Sequence, residues 1–445
     1  MSDRALITRL REQLNSGQAR LREAYAASGN ALAMLRGRTS LVDSVLREIW
    51  QHYALPADLT LAAAGGYGRG ELYPASDIDI LILRPDDCDE QHDEQITPLI
   101  GLLWDIGLEV GHSVRRINEC VTEATQDITV QTNLLETRLL AGSSKTFADF
   151  NAAMRGHLVA QTFFKSKRLE QQERHSRYDD TAFSLEPNCK ENPGGLRDLH
   201  AILWIAHAAG LGNHWRDMAE NGLCTNTEAS QLERCERFLR HIRIRLHYLT
   251  RRREDRLLFD HQEAVAQAFG IERSRAKRAS ELLMQRYYRN AKSIVQLNTL
   301  LLQNLGERIF PAHRSAPIFI DADFQMQRDL LDIRDEELFQ RTPIAILKSF
   351  LLLQQRSELK GMTARTLRAL WRARDRIDAS FRRDPANRAL FLSMFQQKRG
   401  IVHEMRRMNS PCAAASFPVL TVTGCSISQP CFTILPKDGA VITPS

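Results

Sequence analysis

The chain has 445 residues, a length that at roughly 150 per domain supports about three domains and more than one sizeable core. Hydrophobic residues make up 43% and charged residues 26%, and 60 Lys+Arg against 54 Asp+Glu leave a net charge of +6, which excludes wholesale disorder, a collagen-like chain and a dedicated polyanion coat. Eight cysteines without a CxxC or Cys/His spacing exclude a disulfide framework and structural zinc. No stretch approaches about 18 consecutive apolar residues, and Asp3, Arg4, Arg9, Arg11 and Glu12 put charge where a secretion signal needs an apolar run, so a cytoplasmic chain with no membrane partner is expected.

From the N-terminus, Leu6, Leu10, Leu14, then Leu41, Val45 and Ile49 recur at helical spacing and predict helix over residues 3–50. Leu59–Ala64 reads as a strand ending at Gly65-Gly66, and Ser76–Leu83, rich in Ile and Leu with two embedded aspartates, as a second. A helix over Pro98–Gly107, a third strand over Leu108–Val114 and a helix containing Asn133, Leu134 and Leu135 complete a mixed α/β sheet domain ending near residue 150. Beyond it the period is helical. Cys235, Phe238, Leu239, Ile242, Leu246 and Leu249 form an apolar stripe, with Arg237, Arg240, Arg243 and Arg251 expected on the opposite face. Further helices are predicted near Gln262–Phe269, Ser280–Leu305, Pro343–Gln355 and Ala364–Phe381, and the acidic stretch Asp321–Glu337 reads as a connector. The last 36 residues differ in composition, with Cys412, Cys425 and Cys431, five prolines and two charged residues.

The informative segment runs from Gly65 to Leu83. Side chains alternate along a strand, so Asp77 and Asp79 project from one side while Ile78 and Ile80 enter the core. Two adjacent carboxylates repel unless a cation lies between them, and hard oxygen donors suit Mg²⁺ carrying phosphate oxygens in its open positions. Gly65 and Gly66 let backbone approach a triphosphate, and Arg69 and Ser76 are candidate phosphate donors. A glycine pair alone, or an Asp-x-Asp alone, is more often a turn or a solvated strand end. The two together, with Asp77 eleven residues after Gly66, resemble the polymerase-β-like nucleotidyltransferase superfamily. No GK[ST] follows the glycines, so this is not a Walker loop.

A second segment, Ser184 to His200 with Pro193-Gly194-Gly195-Leu196-Arg197-Asp198 at its centre, resembles the family of bacterial PII uridylyltransferase/uridylyl-removing enzymes. Gly111–Arg115, Leu246-His247 and Asp255–Gln262 match in the same order, and the resemblance covers residue 40 to Asn409. It implies an α+β fold, a polymerase-β-like domain with a mixed sheet followed by a mainly helical region. It also implies transfer of UMP from UTP to a tyrosine of the PII protein, with Asp77 and Asp79 as catalytic Mg²⁺ ligands. Members commonly add a third carboxylate; Glu109 is the candidate and Asp127 the alternative. The expected division is 1–50, 51–150 (nucleotidyltransferase), 151–310 (helical, uridylyltransferase-associated), 311–409 (helical) and an aberrant tail, 410–445.

The family's hydrolase and glutamine-sensing domains find no counterpart, and the resemblance stops at Met405–Asn409. His92-Asp93, in the acidic loop 86–94, lacks the companions of a metal site, and Phe391–Phe395 with Ile401 read as apolar positions left exposed. An inactive truncated remnant and a related adenylyltransferase are the alternatives within this class. Outside it stands nucleic-acid binding through Arg234–Arg256, where nine arginines occur but only Phe238 and Tyr248 offer stacking and Glu236, Glu254 and Asp255 interrupt the charge; no nucleic acid is expected.

Overall fold

The computed structural model describes residues 3–86, 93–311 and 316–397. His92, Ile401, Met405–Asn409 and the tail 410–445 lie outside the described residues. Two compact units divide between Ile294 and Val295.

In the first unit, α1 (Asp3–Ser28) and α2 (Ala31–His52) replace the single expected helix, broken where Gly29 takes φ +62° and Asn30 caps the next helix by accepting from Ala33 N–H. Then come β1 (Thr60–Ala63), a one-turn α3 (Gly65–Gly68), β2 (Ile78–Arg84), α4 (Asp93–Asp105), β3 (Val110–Arg116), α5 (Ile117–Gln126), α6 (Ile128–Leu135), β4 (Arg138–Gly142) and α7 (Ser144–His157). The sheet order is β3-β2-β1-β4, with β2 and β3 parallel and the other pairs antiparallel: a mixed sheet, with one strand, β4, beyond those expected.

Both faces of this sheet are covered. Leu61, Ala63, Ile78, Ile80 and Ile82 pack with residues of α1, α2 and α4, such as Leu10, Ile49 and Leu103. Ala62, Leu81 and Leu83 pack beneath Cys120, Ala124, Leu134 and Phe150 of α5, α6 and α7. Asp77 and Asp79 belong to the same face as Leu81 and Leu83 by the period-2 rule. Asp79 is the second residue of β2 and Asp77 directly precedes the strand.

The remainder of this unit is helical: α8 (Ala160–Ser176), α9 (Leu196–Ala208), α10 (Trp215–Glu220), α11 (Asn226–Thr250), α12 (Phe259–Ala268) and α13 (Ala279–Ile309), the last passing into the second unit. The arginine face expected on α11 is corrected here. Arg243 is buried and Leu249 is 45% exposed, because the inward face of α11 continues through Arg243 and His247 rather than through Leu249.

The second unit is not all helix. Asp321–Glu337, expected as a connector, holds β6 and β7 of a sheet β5 (Ile318–Phe319), β6 (Phe324–Gln327), β7 (Leu330–Ile333) and β8 (Gly361–Met362). Helices α14 (Leu338–Arg341), α15 (Ile344–Gln355), α16 (Ala364–Arg372), α17 (Ala379–Arg383) and α18 (Pro385–Phe395) accompany it, with Phe324, Leu331, Ile333, Phe339 and Phe350 in the core. Of the α18 positions expected to be exposed, Met394 is fully buried, Phe391 and Phe395 pack against that core, and Leu392 is exposed. No described helix is long and apolar enough to cross a membrane.

Candidate active site

Two glycines shape the floor of the site. Gly65 takes φ +53° as the chain leaves β1, and a Cβ there would stand 2.3 Å from Asn133 Oδ1 and 3.2 Å from Asp79 Oδ2. Only glycine fits between the α6 amide and the β2 carboxylate. Beside it Gly66 is open, with nothing nearer than 3.8 Å to a Cβ position. Across the sheet, Gly111 is in register with Asp79, and a Cβ at Gly111 would approach Asp79 Oδ1 to 2.8 Å. Asp79 thus stands in a slot walled by two glycines. Burial and the neighbouring Asp77 raise its pKa, opposed by the positive charges of Arg253 and Lys190.

Those two cations come from the helical part of the same unit. Asp255 is the joint that brings them in: its carboxylate accepts from Arg243 Nε at 2.6 Å and pairs with His247 Nε2 at 3.2 Å, while its carbonyl accepts from Cys189 N–H at 2.8 Å. His247 Nδ1 accepts from Ala75 N–H at 3.1 Å, which makes Nε2 the protonated nitrogen and ties α11 to the segment entering β2. Two residues before Asp255, Arg253 Nη1 lies 3.0 Å from Asp77 Oδ2. One residue after Cys189, Lys190 is pushed down to about 8 by burial first and then by Arg243 and Arg197.

The Pro193-Gly194-Gly195 turn is rigid for stated reasons. Gly194 has φ +81° and its Cβ position lies 2.5 Å from Ala291 O on α13; Asp198 Oδ2 accepts from Gly194 N–H at 2.8 Å. Asp198 is fully buried and also meets Gln171, Arg174 and His175 at 2.9, 2.6 and 2.8 Å, so its pKa is about 2 despite burial. Arg197 pairs instead with Glu191 at 3.3 Å.

Comparison with known proteins follows the same layout. Three family models match in chain order: nucleotidyltransferase domain over residues 43–131, GlnD PII-uridylyltransferase over 162–302, and uridylyltransferase GlnD third domain over 324–411. Similar proteins include the bifunctional uridylyltransferase/uridylyl-removing enzymes of Aromatoleum aromaticum (56% identical over 405 residues, 91% of this chain and 47% of that protein), Bordetella avium (55% over 368, 83% and 43%) and Nitrosospira multiformis (48% over 406, 90% and 46%). The chain belongs to the GlnD PII-uridylyltransferase family. It spans about half the length of the curated relatives it matches.

Within this uridylyltransferase-family chain the expected site residues separate. Gly65, Gly66, Asp77 and Asp79 are together, with Ser76 beside them in sequence. Glu109 is exposed just before β3; its carbonyl accepts from Ile78 N–H at 2.9 Å, and Glu109 and Asp77 line one open cavity of about 520 Å³. Asp127 is the N-cap of α6, accepting from Thr129 N–H at 2.6 Å, and this bond holds its pKa down. Arg69, expected as a phosphate donor, has its Nε and Nη1 engaged by Glu71 and Glu136 in a partly buried cluster that also holds Arg240 and Trp204, while its Nη2 lies beside Gly66, 3.8 Å from that residue's Cβ position.

The arginines of 234–256 likewise do not form a free basic face, since Arg240 pairs with Glu71 and Glu236, Arg243 with Asp255 and Arg253 with Asp77. Asn133, Lys190 and Arg253 are site residues that the sequence did not single out. Lys190 and Asn133 lie inside segments noted for other reasons, but nothing in their spacing points them at Asp79.

Proposed function

We propose that this chain transfers UMP from UTP to a tyrosine hydroxyl of the PII protein and releases pyrophosphate. The observation that carries the proposal is the Asp77/Asp79 pair beside an open glycine turn, faced by Lys190 and Arg253 from the segments that mark the family. In the reaction the phenolic oxygen bonds to the α-phosphorus, the bond to the bridging oxygen breaks, and the pyrophosphate leaves. Lys190 and Arg253 would balance the charge of the departing phosphates. Gly66 gives them access to the backbone. Glu109, across the cavity from Asp77, is the group proposed to take the phenolic proton.

The donor set fits a hard divalent ion. Asp79 is raised in pKa by burial first and then by the Asp77 carboxylate two residues before it, a repulsion a cation would relieve. Among the described residues no group of three or more His, Cys, Asp or Glu side chains gathers to hold a metal. Two carboxylates with phosphate oxygens and water suit Mg²⁺, which rarely has an all-protein cage. Bound there by Asp77 and Asp79, it would polarise the α-phosphate and offset charge on the leaving group.

The test is incubation of the purified chain with a PII protein, MgCl₂ and radiolabelled UTP, with ATP as competing donor. Label on PII from UTP is the expected result. Absence of label from a chain with a cooperative melt, or label from ATP alone, overturns the assignment.

A further inference from the structure

Among the described residues three arginines are buried, and two have a carboxylate: Arg174 meets Asp198 and Arg243 meets Asp255, each at 2.6 Å. Arg38 of α2, 7% exposed, has no such partner. Its Nη1 donates to the Pro74 carbonyl, its Nε is buried without a hydrogen bond, and the charge of Glu109 reaches it without an ion pair. Arg38 borders a cavity of about 320 Å³ in the first unit, whose wall also includes Arg22, Arg251, Tyr248 and the Pro74–Ala75 peptide. No Asp or Glu is among the residues that line it.

Two further features concentrate positive charge on this space. Arg251 ends α11 in the left-handed conformation, φ +55°, a common way for a helix to stop, and it borders the same cavity. Arg22 lies over the Tyr248 ring, 5.4 Å from its centroid, leaving its edge for planar recognition of an oxyanion. Three guanidiniums around a partly enclosed space, one of them desolvated, match the bidentate geometry by which arginine holds phosphate.

We propose that this cavity is an anion site for a small phosphate-bearing ligand of about pyrophosphate size, separate from the Asp77/Asp79 site. The ligand completes the partners that Arg38 lacks. Arg38 and His247 grip the two sides of the Pro74–Ala75 segment, through the Pro74 carbonyl and the Ala75 N–H, so occupation stiffens the chain two residues before Asp77. The site goes beyond the transfer reaction and does not depend on it.

The test is titration calorimetry of the full chain with sodium pyrophosphate, at constant ionic strength and with EDTA present so that no metal bridges it to the aspartates. One saturable binding event is expected, weakened at least about tenfold by Arg22→Ala and by Arg251→Gly and unchanged in Asp79→Asn. Both arginines are exposed, and glycine suits the φ of position 251, so these variants keep the fold; a cooperative melt of each checks this. Absence of binding at millimolar pyrophosphate, equal affinity in both arginine variants, or loss in Asp79→Asn alone overturns the proposal.

Discussion

Asp79 is a residue whose chemistry and whose contribution to stability oppose each other. Its pKa in the folded chain is raised, by burial first and by Asp77 second. The folded form therefore holds its proton more tightly than the unfolded form, whose value is about 3.9. Its contribution is most favourable below that value and is lost as pH rises through the folded pKa, so at neutral pH the ionised group destabilises the fold. Asp79→Asn is expected to raise Tm in metal-free buffer at pH 7.5 while lowering transfer by about 10³-fold or more, the size of several kcal/mol of lost metal-assisted stabilisation. Calorimetry and the labelling assay on one preparation check both, and a lowered Tm with retained transfer refutes the assignment. Gly65 makes the converse case. Gly65→Ala forces a side chain into φ +53° and against Asn133, at a cost of about 1–2 kcal/mol for the backbone alone. Pairing it with Asn133→Ala should recover the steric part of the loss in urea melts and leave the backbone part.

At the scale of elements, the site depends on how α11 and the loop after it grip the entry to β2. Asp255 joins Arg243, His247 and Cys189, and His247 passes the contact to Ala75. Removing its charge leaves Arg243 buried without a counter-ion, a change that costs about 3–5 kcal/mol in comparable pairs. Asp255→Asn is expected to lower the urea midpoint accordingly and to weaken MgUTP binding, whereas an exposed pair such as Arg356–Glu358 should be neutral to Glu358→Gln. This joint was not legible in the sequence, although Asp255 and His247 both lie in segments noted for resemblance. The β2 strand and its aspartates were legible because alternation over a few residues carries the information. The link from Ala75 to His247 spans 172 residues, and no local pattern encodes it. Helical spacing assigned faces to α11 but not what packs on them, so Arg240 and Arg243 read as solvated when acidic partners lie against them. The strands of the second unit are two to four residues long and acidic in places, too short for a period of two to show.

Over the whole molecule, the acid response is set by histidines held neutral in one unit. Burial is the largest cause that lowers His200 to about 3 and His241 to about 4, and it also lowers His207 and His247. The folded unit then binds fewer protons than the unfolded chain between about 6.5 and those lower values, so its stability falls as pH drops below about 6.5. Asp198 adds its own loss only below about 3.9, as pH approaches its folded value of about 2. His200, fully buried, removes roughly 2 kcal/mol at pH 5, equivalent to about 3 °C in Tm for a unit of this size. From Val295 onward the described residues contain no histidine. The expected result is a calorimetric trace in which the transition of the first unit moves down between pH 7 and pH 5 while that of the second stays in place. His200→Gln with His241→Gln should flatten the slope of the first. Limited proteolysis at the intermediate temperature, releasing a fragment beginning near residue 295, identifies which transition belongs to which unit. Equal downward movement of both transitions, or an unchanged slope in a double variant that still folds cooperatively, refutes the histidine account.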